Sequence, residues 1–302
     1  MKFAVWPSYD RSWDETLTLA KWAADHDMGG FWYADHFLEF GADDERGLGH
    51  VFGCWSVLAA VGAAVPGLRL VSMVSPVTIH HPVVLAKRAI TVDHISGGRA
   101  VLGIGAGWQV NEHLAYGFEL PPPRQRVDRF EEAIQVVHFL ARGEQVTFNG
   151  TYFHLDGVAC YPRPVDRLPI LVGTGSPRML RITARFADEW NTWGHPNQLE
   201  QRGALFDRAL QTVGRDPSAV RRSAQAMIHL VDNDEQRAAA EAQGMTNVSL
   251  IGGASELVDL LGRCAELGVD EFGLPDDTFG DTPERRMESL ERLHAEVLTQ
   301  VQ

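Results

Sequence analysis

A chain of 302 residues, 45% hydrophobic and 22% charged, has soluble globular proportions and enough apolar material for one large core. Its 27 Lys+Arg against 40 Asp+Glu leave a formal charge of −13, which sets the surface against phosphate backbones and anionic bilayers. Nucleic acid and membrane are therefore excluded as expected partners, although a locally basic pocket can still take an anionic cofactor.

Residues 2–6 read as a first strand and 14–27 as an amphipathic helix, with Leu17, Ala20, Trp22, Ala23 and Ala24 on its apolar face. Gly29-Gly30 ends that helix and residues 31–34 form a second strand. Residues 52–64 read as a helix, 68–75 as a third strand, 82–95 as a helix with Pro at its start, and 100–104 as a fourth strand. A strong helix follows over 126–142, apolar at Phe130, Ile134, Val137 and Leu140. Residues 145–155 suggest a hairpin turning at Asn149-Gly150, a favoured turn pair. Strands at 169–173, 189–193, 223–231 and 271–274 then alternate with helices at 177–187, 198–213, 254–267 and 283–298. Trp190 and Trp193 flank the sixth of these strands, one suited to the core and one to a pocket.

Eight strands with helices between them predict an α/β fold: a single (β/α)8 TIM barrel with insertions in its βα loops, one domain over residues 1–302. A doubly wound sheet is the alternative, but the first strand leads into Pro7-Ser8-Tyr9 rather than a glycine-rich turn. Cys54, Cys160 and Cys264 are odd in number and form no CxxC pair, which fits a reducing, cytoplasmic setting. The N-terminus has no apolar signal region, and no apolar run approaches the roughly 20 residues that span a bilayer.

In a barrel, chemistry sits in the loops that follow strands. After the second strand, Asp35-His36 can bind a cofactor and shuttle a proton, or can be a packed rim histidine beside a helix cap. After the fourth, alternate glycines in Gly103-Ile104-Gly105-Ala106-Gly107-Trp108 let the backbone approach a ring or phosphate, or simply make a tight turn; the full dinucleotide fingerprint is missing. After the fifth, Gly173-Thr174-Gly175-Ser176-Pro177-Arg178 leads into a helix start, where free N–H groups and the dipole suit a phosphate; ordinary capping by Ser176 is the alternative. His80-His81 lacks metal-site spacing. Asp43-Asp44-Glu45 reads as a solvated loop. No nucleophile elbow appears, which argues against a serine hydrolase.

Taken together these segments resemble the luciferase-like monooxygenase superfamily, in its branch that uses the deazaflavin coenzyme F420. The resemblance is carried by Trp32-Tyr33-Ala34-Asp35-His36-Phe37 and by residues 82–99, 103–117, 126–133, 148–153 and 170–191. It implies an F420-dependent oxidoreductase acting on a small-molecule substrate, with an FMN-dependent monooxygenase served by a flavin reductase as the alternative, and a homodimer. It implies a catalytic His36 and a cofactor held by Asp35, Met73, Val74, Ala106, Gly107, Asn111, Gly175, Ser176, Arg178 and Met179. A cis peptide at Met73-Val74 would back the ring, and Trp108 and Trp193 would line the substrate pocket. Two departures stand out. Trp108 replaces a Glu that serves proton transfer in the sugar-phosphate dehydrogenases of the group, and His80 replaces an Arg common before the His-Pro. Substrate shape is expected to depend on loops 39–53 and 194–203.

Overall fold

The computed structural model describes residues 1–39 and 51–301. The acidic run Asp43-Asp44-Glu45 and most of the loop 39–53 lie outside the described residues. The strands are β1 (Lys2–Trp6), β2 (Gly30–Tyr33), β3 (Arg69–Ser72), β4 (Ser75–Pro76), β5 (Ala100–Gly105), β6 (Val146–Asn149), β7 (His154–Val158), β8 (Ile170–Gly173), β9 (Glu189–Trp193), β10 (Arg221–Gln225), β11 (Met227–Leu230), β12 (Ser249–Gly252) and β13 (Glu271–Pro275). The main helices are α1 (Trp13–Asp25), α2 (Cys54–Ala64), α3 (Pro82–Ser96), α4 (Val110–Tyr116), α5 (Pro123–Leu140), α6 (Pro177–Phe186), α7 (Pro196–Thr212), α8 (Asp234–Ala242), α9 (Ala254–Glu266) and α10 (Pro283–Leu293).

All pairings of the main sheet are parallel, in the order β3-β2-β1-β13-β10-β9-β8-β5-β4. The sheet closes where β3 meets β5, Leu70 opposite Ala100. With β4 continuing β3 past a break, this is an eight-stranded (β/α)8 barrel. Strand periodicity sorts the side chains. Ala4, Trp32, Val71, Met73, Val101 and Leu171 pack into one cluster inside the barrel, while the intervening residues join the larger core under the helices. At the N-terminal end Arg69 is clamped between the buried carboxylates of Glu189 and Glu271. Above it the Trp32 indole crosses the bore, and a Cβ at Gly273 would collide with its ring. The barrel is plugged from below, so its C-terminal end carries the cleft.

The third strand is interrupted at the Met73–Val74 peptide, which is cis, and the chain re-enters the sheet at Ser75. The expected strand over 223–231 is two strands. β10 stays in the barrel; after Ala226 the chain turns out and β11 pairs in parallel with β12, a strand that was not anticipated. The hairpin of β6 and β7 pairs Asn149 with His154, so four residues make its turn rather than the Asn149-Gly150 pair alone. No helix among the described residues is long and apolar enough to cross a membrane.

Candidate active site

Four adjacent strands, β2, β3, β5 and β8, deliver the singled-out segments to one rim. Asp35 follows β2 and is buried. Its Oδ2 accepts a hydrogen bond from Ser75 Oγ at 2.5 Å, and Ser75 Oγ in turn accepts from Trp55 Nε1 at 3.1 Å. His80 Nε2 lies 2.9 Å from the same carboxylate oxygen, off the line of a hydrogen bond, while Arg88 points at His80 Nδ1 from 3.2 Å. Burial works to raise the Asp35 carboxyl. The neighbouring His80 imidazole, then the Ser75 hydroxyl and His36, outweigh it and hold the group below its ordinary value of 3.8. His80, for which no carboxylate partner was evident in the sequence, thus has one in Asp35.

His36 stands next to this pair with its ring between Tyr9 and Trp108, each 5.7 Å away between ring centres. Its Nδ1 lies 3.1 Å from Oε1 of Glu112, a carboxylate buried on α4. The other oxygen, Oε2, accepts the Phe37 N–H at 2.8 Å. Sequence reasoning missed Glu112. It lies within the segment 103–117, and only the intervening short helix α4 turns it toward the β2 loop.

The alternate glycines after β5 have a packing reason. A Cβ at Gly103 would run into the Ser72 carbonyl, one at Gly105 would come within 2.7 Å of Val74 Cγ2, and one at Gly107 would meet Thr78. Gly107 also has φ of +85°, a conformation glycine adopts without strain. The β5 end therefore moulds itself to the bulge at Met73-Val74. Arg126 Nη1 donates to the Gly107 carbonyl at 2.6 Å and pins that turn, with Ala106 beside it partly buried. Asn111 is occupied on both sides: its amide donates to the Glu39 carbonyl at 2.9 Å and its oxygen accepts the Glu112 N–H at 2.8 Å.

At the end of β8, Gly175 and Ser176 are exposed at the start of α6. Ser176 occupies the cap position but its side chain caps nothing, and Pro177 follows. The ordinary-capping alternative is thus not what the Ser176 hydroxyl does, and α6 begins with unsatisfied N–H groups facing outward among the described residues. Arg178 turns aside to Asp128 at 2.5 Å and Glu131 at 3.2 Å, and Met179 is buried. Arg202, not singled out from the sequence, stands behind Gly175: its Nε would be 3.7 Å from a Cβ there, and its Nη1 donates to Thr192 Oγ1 at 3.0 Å. Trp193 faces the mouth and packs on Trp6 at 5.7 Å, whereas Trp190 is the core member of the pair, against Phe206. Asn191 and Gln225 meet inside the barrel at 2.7 Å and supply polar groups below the aromatic wall.

These features bring to one rim an aromatic wall, a glycine-rich β5 end packed on the Met73-Val74 bulge, a buried anion beside a histidine, and an uncapped helix N-terminus. An exposed, uncapped helix start such as that of α6 suits an anion. Comparison with known proteins agrees in kind. A family model described as luciferase-like monooxygenase matches residues 1–254. The chain is 34% identical over 179 residues to the F420-dependent glucose-6-phosphate dehydrogenase of Nakamurella multipartita, covering 59% of this chain and 51% of that protein. It is 30% identical over 212 residues to the F420-dependent hydroxymycolic acid dehydrogenase of Mycobacterium tuberculosis, covering 70% and 57%. The matched segments thus span little more than half the length of these two curated relatives. Among solved structures, an F420-dependent secondary alcohol dehydrogenase in complex with an F420–acetone adduct superposes with a TM-score of 0.84 at 20% identity, covering 100% of this chain and 99% of that one. The monooxygenase RslO1 from Streptomyces bottropensis superposes with a TM-score of 0.80 at 20% identity, with both chains fully covered. At such identities the structures share the fold.

Proposed function

This chain belongs to the luciferase-like monooxygenase family, and from that premise we propose that it is an F420-dependent oxidoreductase acting on a small organic substrate. The observation that carries the reading is the convergence on one rim of Asp35-His36, the Met73-Val74 bulge, the Gly103–Gly107 face and the uncapped start of α6. The F420-dependent relatives favour the deazaflavin over FMN. Asp35, Met73, Val74, Ala106 and Gly107 would lie along the ring. Gly175, Ser176 and the α6 N-terminus would take the phosphate of the tail, with Arg178 and Met179 flanking it and Asn111 shaping the entrance through Glu39. When bound, the cofactor supplies hydride chemistry at C5.

The chain's own residues supply position and protons. His36 gives or takes the proton on the substrate oxygen. Trp6, Trp108 and Trp193 would give the substrate an apolar aromatic wall, which suits a small uncharged alcohol or carbonyl compound better than a sugar phosphate. The ionised Asp35 behind the rim fixes a negative potential beside His36. The test is turnover of F420 with a panel of small alcohols, ketones and enones, followed by deazaflavin absorbance. His36→Ala is expected to keep F420 binding and to lower kcat by on the order of 10²–10⁴-fold. Unchanged turnover in that variant would turn the reading toward a cofactor carrier.

A further inference from the structure

We infer that Glu112 is a positioning residue that holds the His36 proton on Nδ1 and so presents a bare Nε2 to the substrate. This rests on the proton-handling role proposed for His36. An ionised carboxylate only accepts hydrogen bonds. Glu112 is 1% exposed, with Oε1 at 3.1 Å from His36 Nδ1 and Oε2 taking the Phe37 N–H at 2.8 Å. Burial and the Phe37 N–H leave the carboxylate little freedom to turn away. Nδ1 must then be the donor. The ring lies between Tyr9 and Trp108, and among the described residues Nε2 has no hydrogen bond.

In the oxidative direction the substrate hydroxyl proton passes to Nε2 while Nδ1–H stays with Glu112, and the hydride on the same carbon would go to the bound deazaflavin. The carboxylate then stabilises the charge that develops on the imidazole. In the reductive direction the same proton returns to the carbonyl oxygen.

Glu112→Gln discriminates this role from simple packing. Glutamine offers one acceptor and one NH2. With the Phe37 N–H holding the acceptor, the NH2 faces Nδ1, which can then only accept, and the His36 proton moves to Nε2. The experiment is nitrogen-15 NMR of histidine-labelled full-length protein without cofactor, the His36 signals being assigned by their loss in His36→Asn. Wild type is expected to show the Nδ1–H tautomer and Glu112→Gln the Nε2–H tautomer. The same variant is expected to lose on the order of 10²–10⁴-fold in kcat with KM nearly unchanged, and Glu112→Asp to recover part of it. An Nε2–H tautomer in the wild type overturns the inference, and that spectrum needs no Glu112 variant to fold. Absence of F420 binding overturns the proposed cofactor and leaves the tautomer result standing.

Discussion

The least expected behaviour at the scale of single residues belongs to Asp35, buried yet held in its charged form. A carboxyl whose folded-state value lies below its ordinary 3.8 stabilises the fold at neutral pH, and the contribution is lost as pH falls from that value through the folded one. Asp35→Asn removes the negative charge that faces His80, Ser75 and His36 and is expected to cost about 1–3 kcal/mol at neutral pH. Urea denaturation of both proteins from pH 6 downward reads this directly: the gap between them should narrow as pH drops below 3.8. A gap that widens toward acid contradicts the assigned charge state. Adjacency made the Asp35-His36 pair visible in the sequence. Their partners were not, because Ser75 and Glu112 come from 40 and 76 residues away, brought in by barrel closure.

Elements show how the rim is braced. On α5, Arg126, Arg129 and Glu132 recur every three residues and share a face. Arg126 holds the Gly107 carbonyl, Arg129 Nε holds the Val77 carbonyl at 3.0 Å, and Glu132 accepts the N–H groups of Thr151, Tyr152 and Phe153 in the hairpin turn. The adjoining stripe, with Phe130, Ile134, Val137 and Leu140, is core. One helix thus ties two rim loops and a hairpin to the barrel wall. The start of α6 makes a prediction with opposed signs. Ser176→Asp places a capping carboxylate on free N–H groups and is expected to stabilise the fold by about 0.5–1 kcal/mol. The same charge repels an anionic tail and should weaken cofactor binding, by tenfold or so for each 1.4 kcal/mol lost. Thermal melts and titration together check it; tighter binding would remove the tail from α6.

The alternation of strands and helices was legible at this scale because most barrel strands, such as β2, β5 and β8, are short apolar runs bounded by turn residues. The break after Gln225 was not, since Ala226 keeps the run continuous while the chain leaves the barrel. Helix α8 escaped notice because only Ala240 of it is buried, so it carries no apolar stripe. The hairpin was visible but its turn was lengthened, because the N–H groups of the turn are captured by Glu132 on α5 rather than closing on each other.

The whole molecule separates stability from chemistry along the barrel axis. Arg69 with Glu189 and Glu271 seals the lower end, and burial raises the Glu189 carboxyl despite Arg69 beside it. Trp32 against Gly273 fills the middle. Only the upper end offers a glycine face, an aromatic wall and an open helix start together. The four segments that build it were individually ambiguous, and each had an unremarkable structural explanation. Their meeting on adjacent strands is what gives them joint meaning, and order along the chain made that meeting predictable. Titration of the purified chain with F420 and, separately, with FMN tests the central claim most directly. Saturable binding of F420 at one equivalent per chain, weakened in Ser176→Asp, is expected; micromolar FMN binding with no F420 binding would contradict it.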